Sequence, residues 1–250
     1  MGKTHEALER AEKEYKQTVM QSPRGPEKTV PAKKPGPFHM PAPSESDRFQ
    51  EVKTKLITRF ADGSVKSILI TGTAHGDGSS FTAASFATTL ARDCRLNVLL
   101  IDANLRCPRL HEVFNIDVNQ GLSNLLTQKQ DKPSLFKKVG DGDLYLIPCG
   151  GNNTGPLSLF ESNRFDHYLK TVRDQFDYVI LDSPPVNTYA ESRVIAAKVD
   201  GVILVIESGK TRSQVAIKAK QELEDAGAKV LGVILNRRKH YIPEFIYKRL

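Results

Sequence analysis

The sequence predicts an α/β protein built on a doubly wound, mostly parallel sheet with helices on both faces. Apolar runs of strand length recur along the chain, and several lack polar alternation, as expected of strands covered on both sides. Segments with helical periodicity separate these runs, and such alternation is typical of a parallel sheet. The predicted strands are 66–71, 97–102, 144–148, 178–182, 201–207 and 229–236. The helices between them are 80–93, 163–176, 191–199 and 211–226.

The last of these helices carries a signal at each end. Thr211 is followed three residues later by Gln214, which is the pattern of a capping box. Gly227 comes after the last periodic position and is expected to end the helix. A further helix with one apolar face is predicted at 47–60, before the first strand.

Composition divides the chain into four parts. Residues 1–20 form a charged segment with a predicted helix, and 21–45 form a linker, because seven of the fourteen prolines fall there. The α/β domain covers 46–236. Residues 237–250 form a basic tail that contains Tyr241 and Tyr247. Such a tail is either solvated or meets an acidic surface of nucleic acid, lipid or protein.

The overall composition indicates a cytoplasmic protein with a core of moderate size. The chain has 250 residues, of which 39% are hydrophobic, and a formal charge of +7. No apolar run approaches the 18 residues that a membrane span requires, and no apolar stretch follows the N-terminus as in a secretory signal. The three cysteines lie far apart without metal-ligand spacing, so neither a metal site nor a disulfide framework is predicted from them.

A glycine-rich segment, TGTAHGDGSS (71–80), joins the first strand to a helix. Glycines allow the backbone to curl so that its N–H groups and the helix N-terminus surround a phosphate. Ser80 stands where a hydroxyl binds Mg²⁺ in a P-loop. An ordinary strand-to-helix turn is the alternative interpretation. The candidate nucleotide contacts in this segment are Gly76, Asp77, Gly78, Ser79, Ser80 and Phe81.

Two later strands end in a carboxylate. Asp102 follows the run 98–101, and Asp182 follows 178–181. The carboxyl ends of parallel strands meet at one edge of a sheet, where ligands bind. Carboxylates there suit a Mg²⁺-binding or catalytic role, although each residue is also able to cap a helix. Together with the glycine-rich segment after the first strand, three strand ends on one sheet carry candidate ligand-binding residues, and this favours a nucleotide site.

Ser79 occupies the position at which a P-loop carries lysine. That lysine reaches the β- and γ-phosphates, whereas serine brings a hydroxyl and no charge. Losing one such electrostatic contact costs about 2.7–4 kcal/mol of transition-state stabilisation. No lysine lies elsewhere in 71–90, so Arg106 or a neighbouring subunit is the candidate source of a replacement charge.

Four segments together resemble the bacterial tyrosine kinases of the CpsD/CapB type, which act in capsule and exopolysaccharide export. They are the GDGSS loop (76–80), VLLIDANLRCPRLH (98–111), DYVILDSPPV (177–186) and DGVILVIESGKTR (200–212). The resemblance covers roughly 45–250. It implies a P-loop NTPase fold of the MinD-like kind, with ATP or ADP and Mg²⁺ as cofactors. It also implies that Asp102 and Asp182 hold the metal with Ser80, and that Tyr241 and Tyr247 are phosphoacceptors.

The resemblance further implies partners and a location. The family self-associates in rings and is activated by the cytoplasmic segment of a Wzz-type membrane polysaccharide co-polymerase. The protein is then cytoplasmic, recruited to the inner face of the membrane, without a transmembrane segment of its own and without a nucleic-acid partner.

The chain also departs from the family pattern. Besides Ser79, Asn104 replaces the second aspartate of the metal site, and an amide oxygen is a weaker ligand. The helix that carries an E-x-x-R-x-x-R self-association motif in the family here contains DRFQEVK (47–53). Three hypotheses remain at this point: an autokinase with impaired activity, a catalytically inactive pseudokinase scaffold of the same system, and a positioning ATPase of the MinD/ParA type.

Overall fold

The computed structural model describes residues 43–60, 63–127, 135–151 and 155–237. The predicted N-terminal helix (1–20), most of the linker (21–45) and most of the tail (237–250) lie outside the described residues.

A single sheet runs through the described part of the chain. Its strands are β1 (Ser67–Gly72), β2 (Val98–Asp102), β3 (Lys137–Lys138), β4 (Leu144–Ile147), β5 (Tyr178–Asp182), β6 (Gly201–Glu207) and β7 (Val230–Asn236). They are arranged in the order β3-β4-β2-β5-β1-β6-β7, and every neighbouring pair is parallel except β3 with β4. The mostly parallel sheet is therefore confirmed, and its six predicted strands are β1, β2 and β4 to β7. The short antiparallel β3 was not predicted.

The helices are α1 (Pro43–Arg59), α2 (Ser79–Arg92), α3 (Leu110–Phe114), α4 (Leu122–Thr127), α5 (Pro156–Glu161), α6 (Asn163–Gln175), α7 (Glu191–Ala196) and α8 (Ser213–Asp225). α1 begins before the predicted start at 47, inside the predicted linker, because proline is tolerated in the first turn of a helix. α3, α4 and α5 were not predicted; each has only five or six residues, and the apolar positions in these three segments show little helical periodicity.

The capping-box prediction for α8 is wrong. Its N-cap residue is Arg212, and no side chain caps the helix. The hydroxyl of Thr211 instead accepts the backbone N–H of Glu207 at 3.1 Å and contacts a carboxylate oxygen of Asp77 at 3.4 Å. Thr211 therefore contacts Asp77, which is distant in the sequence, instead of capping α8. Gly227 does follow the end of the helix, with a φ of 82°.

Helices cover both faces of the sheet, as the sequence predicts. The buried cluster on one face contains side chains of α1, α2 and α3, including Leu56, Phe86 and Leu110. The cluster on the other face contains side chains of α4 to α8. Alternate strand residues supply the two clusters, so that Ile68 faces α2 while Leu69 faces the opposite layer. Both side chains are fully buried, and burial of each contributes about 1.5–3 kcal/mol.

The topology brings three loops to one edge of the sheet. β1 lies between β5 and β6, and β5 lies between β1 and β2. Because these four strands are parallel, their carboxyl ends meet at one edge of the sheet. β1 has β5 on one side and β6 on the other, and ligands bind at such a point of an open α/β sheet. The loops that follow β1, β2 and β5 are therefore neighbours.

Candidate nucleotide-binding site

The loop between β1 and α2 is shaped by two glycines in the left-handed region. Gly76 has a φ of 93° and Gly78 a φ of 87°, conformations that side-chain-bearing residues rarely adopt. Gly78 is also the N-cap of α2, and no side chain caps this helix. A Cβ atom at residue 78 would overlap the side-chain amide of Asn236, which donates to the carbonyl oxygen of Asp77 at 2.9 Å. Glycine is therefore required at 78, and the start of α2 is left without a side-chain cap at the place where a phosphate is predicted.

Asp77 holds the loop together from inside. Its side chain is 3% exposed, and one carboxylate oxygen accepts the backbone N–H groups of Thr73 at 2.8 Å and Ala74 at 2.9 Å. The same oxygen accepts the hydroxyl of Thr73 at 2.6 Å. These charge-assisted bonds fix the curl of the loop. A direct contact of Asp77 with the nucleotide stays a prediction, because this carboxylate is engaged within the loop.

Asp102 and Asp182 lie side by side at the ends of β2 and β5, where they are partners in the register of the two strands. Both are fully buried. Asp102 accepts backbone N–H groups of Asn104 at 3.3 Å and Leu110 at 3.2 Å. Within the described residues, neither carboxylate oxygen of Asp182 makes a hydrogen bond of full geometry, and only the Ser80 hydroxyl and the Ser183 backbone N–H lie near enough to favour its charge. A buried carboxylate bonded this weakly is costly, and this position is where a cation would remove the cost.

Burial dominates the electrostatics of this pair. It raises the pKa of Asp102 to about 7, although backbone N–H groups of Leu110, Asn104 and Arg109 oppose the shift. The pKa of Asp182 is raised well above its ordinary value by burial first and then by the negative charge of Asp102. The hydroxyl of Ser80 favours the charged form of Asp182 but is outweighed.

These side chains fit a magnesium ion. Two carboxylates and one hydroxyl are hard oxygen ligands, and Mg²⁺ is usually held by one or two carboxylates with waters completing its shell. The described residues contain no group of three or more His, Cys, Asp or Glu side chains that would hold a metal more fully. The structure thus brings Ser80, Asp102 and Asp182 together as the sequence predicts, and their role as ligands stays a prediction.

Asn104 uses its side chain locally. Its amide oxygen accepts the backbone N–H of Cys107 at 3.0 Å, which closes the turn after β2. A metal-ligand role for Asn104 would require the second lone pair of that oxygen or a rotation of the side chain. This role therefore stays a prediction.

Arg106 is engaged by a carboxylate that sequence analysis did not connect with it. Its Nε and one terminal nitrogen donate to one oxygen of Glu191, at 2.9 Å and 2.6 Å, and Glu191 is 2% exposed. The guanidinium also lies 5.5 Å from the ring centroid of Tyr189. The charge of Arg106 is thus largely compensated, which weakens the prediction that it replaces the missing lysine. Glu191 lies 85 residues away along the chain, so no local pattern indicated the pair.

A groove of about 530 Å³ adjoins the loop. α1 forms one wall, the start of α2 forms the floor, and the end of β7 forms the other wall. Phe81 lies here and is 44% exposed. This volume lies within the range of small-molecule sites. The lining residues are Arg48, Phe49, Val52, Gly78, Phe81, Thr82, Ile234, Leu235, Asn236 and Arg237.

A cluster of charged residues beside Gly76 also escaped sequence analysis. The carboxylate of Glu207 pairs with Lys210 at 2.9 Å and with Arg237 at 3.2 Å. Arg237 also donates to the carbonyl oxygen of Gly76 at 3.1 Å. The close spacing of Glu207 and Lys210 was visible in the sequence, but their position beside the loop follows from the pairing of β1 with β6.

The fold and this site define an α/β domain of the P-loop NTPase type, with a glycine loop and two carboxylates at the edge of a parallel sheet. No protein-family model matches the sequence. The chain is 32% identical over 199 residues to the tyrosine-protein kinase YwqD of Bacillus subtilis, covering 80% of this chain and 84% of YwqD. It is 30% identical over 197 residues to the tyrosine-protein kinase CpsD of Streptococcus agalactiae serotype III, covering 78% of this chain and 84% of CpsD. The chain therefore belongs to the family of bacterial tyrosine-protein kinases.

Solved structures agree with this assignment. The kinase domain of the Escherichia coli tyrosine kinase ETK superposes with a TM-score of 0.73 at 25% identity, covering 80% of both chains. MinD from Pyrococcus horikoshii, solved with Mg-ADP, superposes with a TM-score of 0.60 at 20% identity, covering 74% of this chain and 76% of MinD, and shows the shared fold alone. Along the described part of the chain, no helix combines the length and apolar character that crossing a bilayer requires. Tyr241 and Tyr247 lie outside the described residues.

Proposed function

We propose that this protein binds ATP with Mg²⁺ and acts as a slow protein-tyrosine autokinase in a capsule or exopolysaccharide export system. The observation that carries the proposal is the buried pair of Asp102 and Asp182 beside the glycine loop. Among the described residues, Asp182 receives only weak hydrogen bonding, from the Ser80 hydroxyl and the Ser183 backbone N–H, and burial disfavours its charge. A divalent cation held by Ser80, Asp102 and Asp182 would satisfy these groups and offset the negative charge of a polyphosphate at the neighbouring loop.

Each residue has a distinct task in this proposal. Ser80, Asp102 and Asp182 would hold Mg²⁺, which neutralises charge on the β- and γ-phosphates. Gly76 and Gly78 allow the backbone to approach the phosphates, and the N-terminus of α2 favours negative charge there. Asp77 keeps the loop curled before the nucleotide arrives. The site is thus organised in advance, as electrostatic stabilisation of a transition state requires.

The groove beside Gly78 is the proposed place of the nucleobase. It opens next to the start of α2, where the phosphates would lie, and Phe49, Phe81 and Ile234 give it apolar walls. Such a surface suits a flat, aromatic base. Polar groups of Asn236 and Arg237 at its rim are available to orient the base or the ribose.

Turnover is proposed to be slow because Ser79 lacks charge. A lysine in that position reaches the β- and γ-phosphates in P-loops. Removing one well-placed electrostatic contact lowers a rate by about a hundred- to a thousandfold. A catalytically inactive pseudokinase scaffold is the second candidate, and the same residue, Ser79, favours it.

The acceptors and partners are proposed from the family. Tyr241 and Tyr247 would be the phosphoacceptors, and phosphorylation would add negative charge to a basic tail. The proposed partners are other copies of this chain and the cytoplasmic segment of a Wzz-type membrane co-polymerase, which would recruit the protein to the inner face of the membrane.

Incubation of the full chain with Mg-ATP and the partner's cytoplasmic segment tests the proposal through a phosphotyrosine readout. A slow signal is expected, and it should vanish when Tyr241→Phe and Tyr247→Phe are combined. The Ser79→Lys variant should raise the rate by about a hundredfold or more. Nucleotide binding without any phosphotyrosine, in the unaltered protein and in Ser79→Lys, would favour the scaffold instead.

A further inference from the structure

The connection between β6 and α8 places an ammonium group beside the glycine loop. A Cβ atom built on Gly76 would lie 4.0 Å from Nζ of Lys210. Lys210 follows β6, and β6 pairs with β1 up to Gly72, the last residue before the loop. Its position next to the loop is therefore a direct consequence of the strand order.

Contacts of its neighbours hold this connection in place. The Thr211 hydroxyl lies 3.4 Å from a carboxylate oxygen of Asp77, the residue that shapes the loop. Thr211 also accepts the backbone N–H of Glu207 at 3.1 Å, which closes the turn from 207 to 211. Gly209 has a φ of 75°, as this tight turn requires. The backbone of Lys210 is thus fixed relative to the loop, while its side chain is 66% exposed.

Two other cations near the site each make more hydrogen bonds than Lys210 does. Arg106 directs two N–H groups at the buried Glu191. Arg237 is bound both to Glu207 and to the carbonyl oxygen of Gly76, so it lies on the carbonyl side of that peptide. Lys210 makes one ion pair, with Glu207 at 2.9 Å, and its flexible stem is largely exposed, so solvent competes with this pair. A polyphosphate carries more negative charge than one carboxylate and would draw the ammonium away.

We propose that Lys210 supplies to the terminal phosphates of a bound nucleoside triphosphate a part of the positive charge that Ser79 does not. The inference rests on the proposed nucleotide site. Glu207 holds Lys210 beside Gly76 when no nucleotide is bound and competes with the phosphates for it. Lys210 is therefore a specificity-determining residue, which favours the triphosphate over the monophosphate.

Calorimetric titration of the full chain with Mg-ATP, and with AMP as the shorter ligand, tests this role. Lys210→Ala should weaken Mg-ATP binding by about five- to tenfold and leave AMP binding nearly unchanged. Lys210→Arg should retain most of the affinity, because the charge is kept. Lys220→Ala is the matched control, since Lys220 is an exposed lysine of α8 that pairs with Glu224, and its loss changes the net charge equally.

Glu207→Gln separates an electrostatic role from a structural one. If Lys210 only stabilises the turn through its ion pair, Glu207→Gln and Lys210→Ala should weaken binding alike. If Glu207 competes with the phosphates, Glu207→Gln should tighten Mg-ATP binding. Equal loss in both variants would overturn the proposal.

A double-mutant cycle with Ser79→Lys and Lys210→Ala measures whether the side chains at 79 and 210 act on the same phosphates. Because a lysine at 79 would already neutralise the terminal phosphates, Lys210→Ala should have a smaller effect on Mg-ATP binding in that background.

Two outcomes separate the role of Lys210 from the nucleotide site itself. If the protein binds Mg-ATP but Lys210→Ala weakens this binding no more than Lys220→Ala does, the role of Lys210 alone is disproved. No binding by any variant or by the unaltered protein would contradict the nucleotide site itself, and this inference with it.

Discussion

Asp102 and Asp182 lie in register on neighbouring strands, and both carboxylates are completely buried. Two negative charges in this position repel each other and are poorly solvated, so the pair retains a proton near neutral pH unless a cation is present. The pair therefore lowers the stability of the metal-free protein. Binding of a divalent cation would remove this unfavourable electrostatic energy, so that metal binding raises stability.

We predict that Mg²⁺ raises the melting temperature more at about pH 8 than at about pH 6. The pKa of Asp102 is raised to about 7, so the folded state binds a proton more tightly than the unfolded state. Stability without metal therefore falls as pH rises from about 4, the pKa of an unfolded aspartate, through the folded pKa. At the lower pH the metal must displace a proton, whereas at the higher pH it meets ionised carboxylates. Thermal melts with and without Mg²⁺ at the two pH values measure this, and an equal increase at both would count against a carboxylate site.

Asp182→Asn should stabilise the metal-free protein at about pH 8 and abolish its response to Mg²⁺. The substitution removes a buried charge, and the new amide is able to donate to Asp102. Asp174→Asn is the control, because Asp174 is an exposed carboxylate on α6. Destabilisation by Asp182→Asn at this pH, with the Mg²⁺ response intact, would show that the pair is not a metal site.

Gly78→Ala should destabilise the protein by about 2–4 kcal/mol, since it combines left-handed strain with steric overlap. The added Cβ would overlap the amide of Asn236. Gly140→Ala is the matched control, because Gly140 also has a positive φ, of 60°, but nothing lies within 4 Å of its Cβ position. Chemical denaturation gives the free energy of unfolding of both variants, and the difference between their losses is the cost of the overlap with Asn236. Equal losses of stability would mean that Asn236 moves aside freely.

Asp77→Ala should lower stability by about 2–4 kcal/mol and also weaken nucleotide binding. The carboxylate accepts backbone N–H groups of Thr73 and Ala74, and its removal leaves these donors unpaired. Asp77→Asn should have a smaller effect, because an amide oxygen still accepts. Denaturation and Mg-ADP titration of both variants provide the check, and an unchanged affinity in Asp77→Ala would show that the loop does not need its carboxylate.

The sequence predicted the sheet and the position of the two carboxylates at one edge of it, for a physical reason. Buried strands of a parallel sheet are continuous apolar runs, and their carboxyl ends converge whatever the side chains in the loops are. The ends of β5 and β6 were located to the residue. Side-chain partners in the loops were not predictable in this way. Glu191 binds Arg106, Thr211 contacts Asp77, and these pairs are set by tertiary packing.

The central claim is that the loop from Gly76 to Ser80 and the pair of Asp102 and Asp182 form one site for a nucleotide and Mg²⁺. Calorimetric titration of the full chain with ADP, in the presence and absence of Mg²⁺, tests it most directly. The prediction is saturable binding that depends on Mg²⁺ in the unaltered protein and in Asp174→Asn, with the Mg²⁺ dependence lost in Asp182→Asn. No binding of ADP, or binding that is indifferent to both Mg²⁺ and Asp182→Asn, would contradict it.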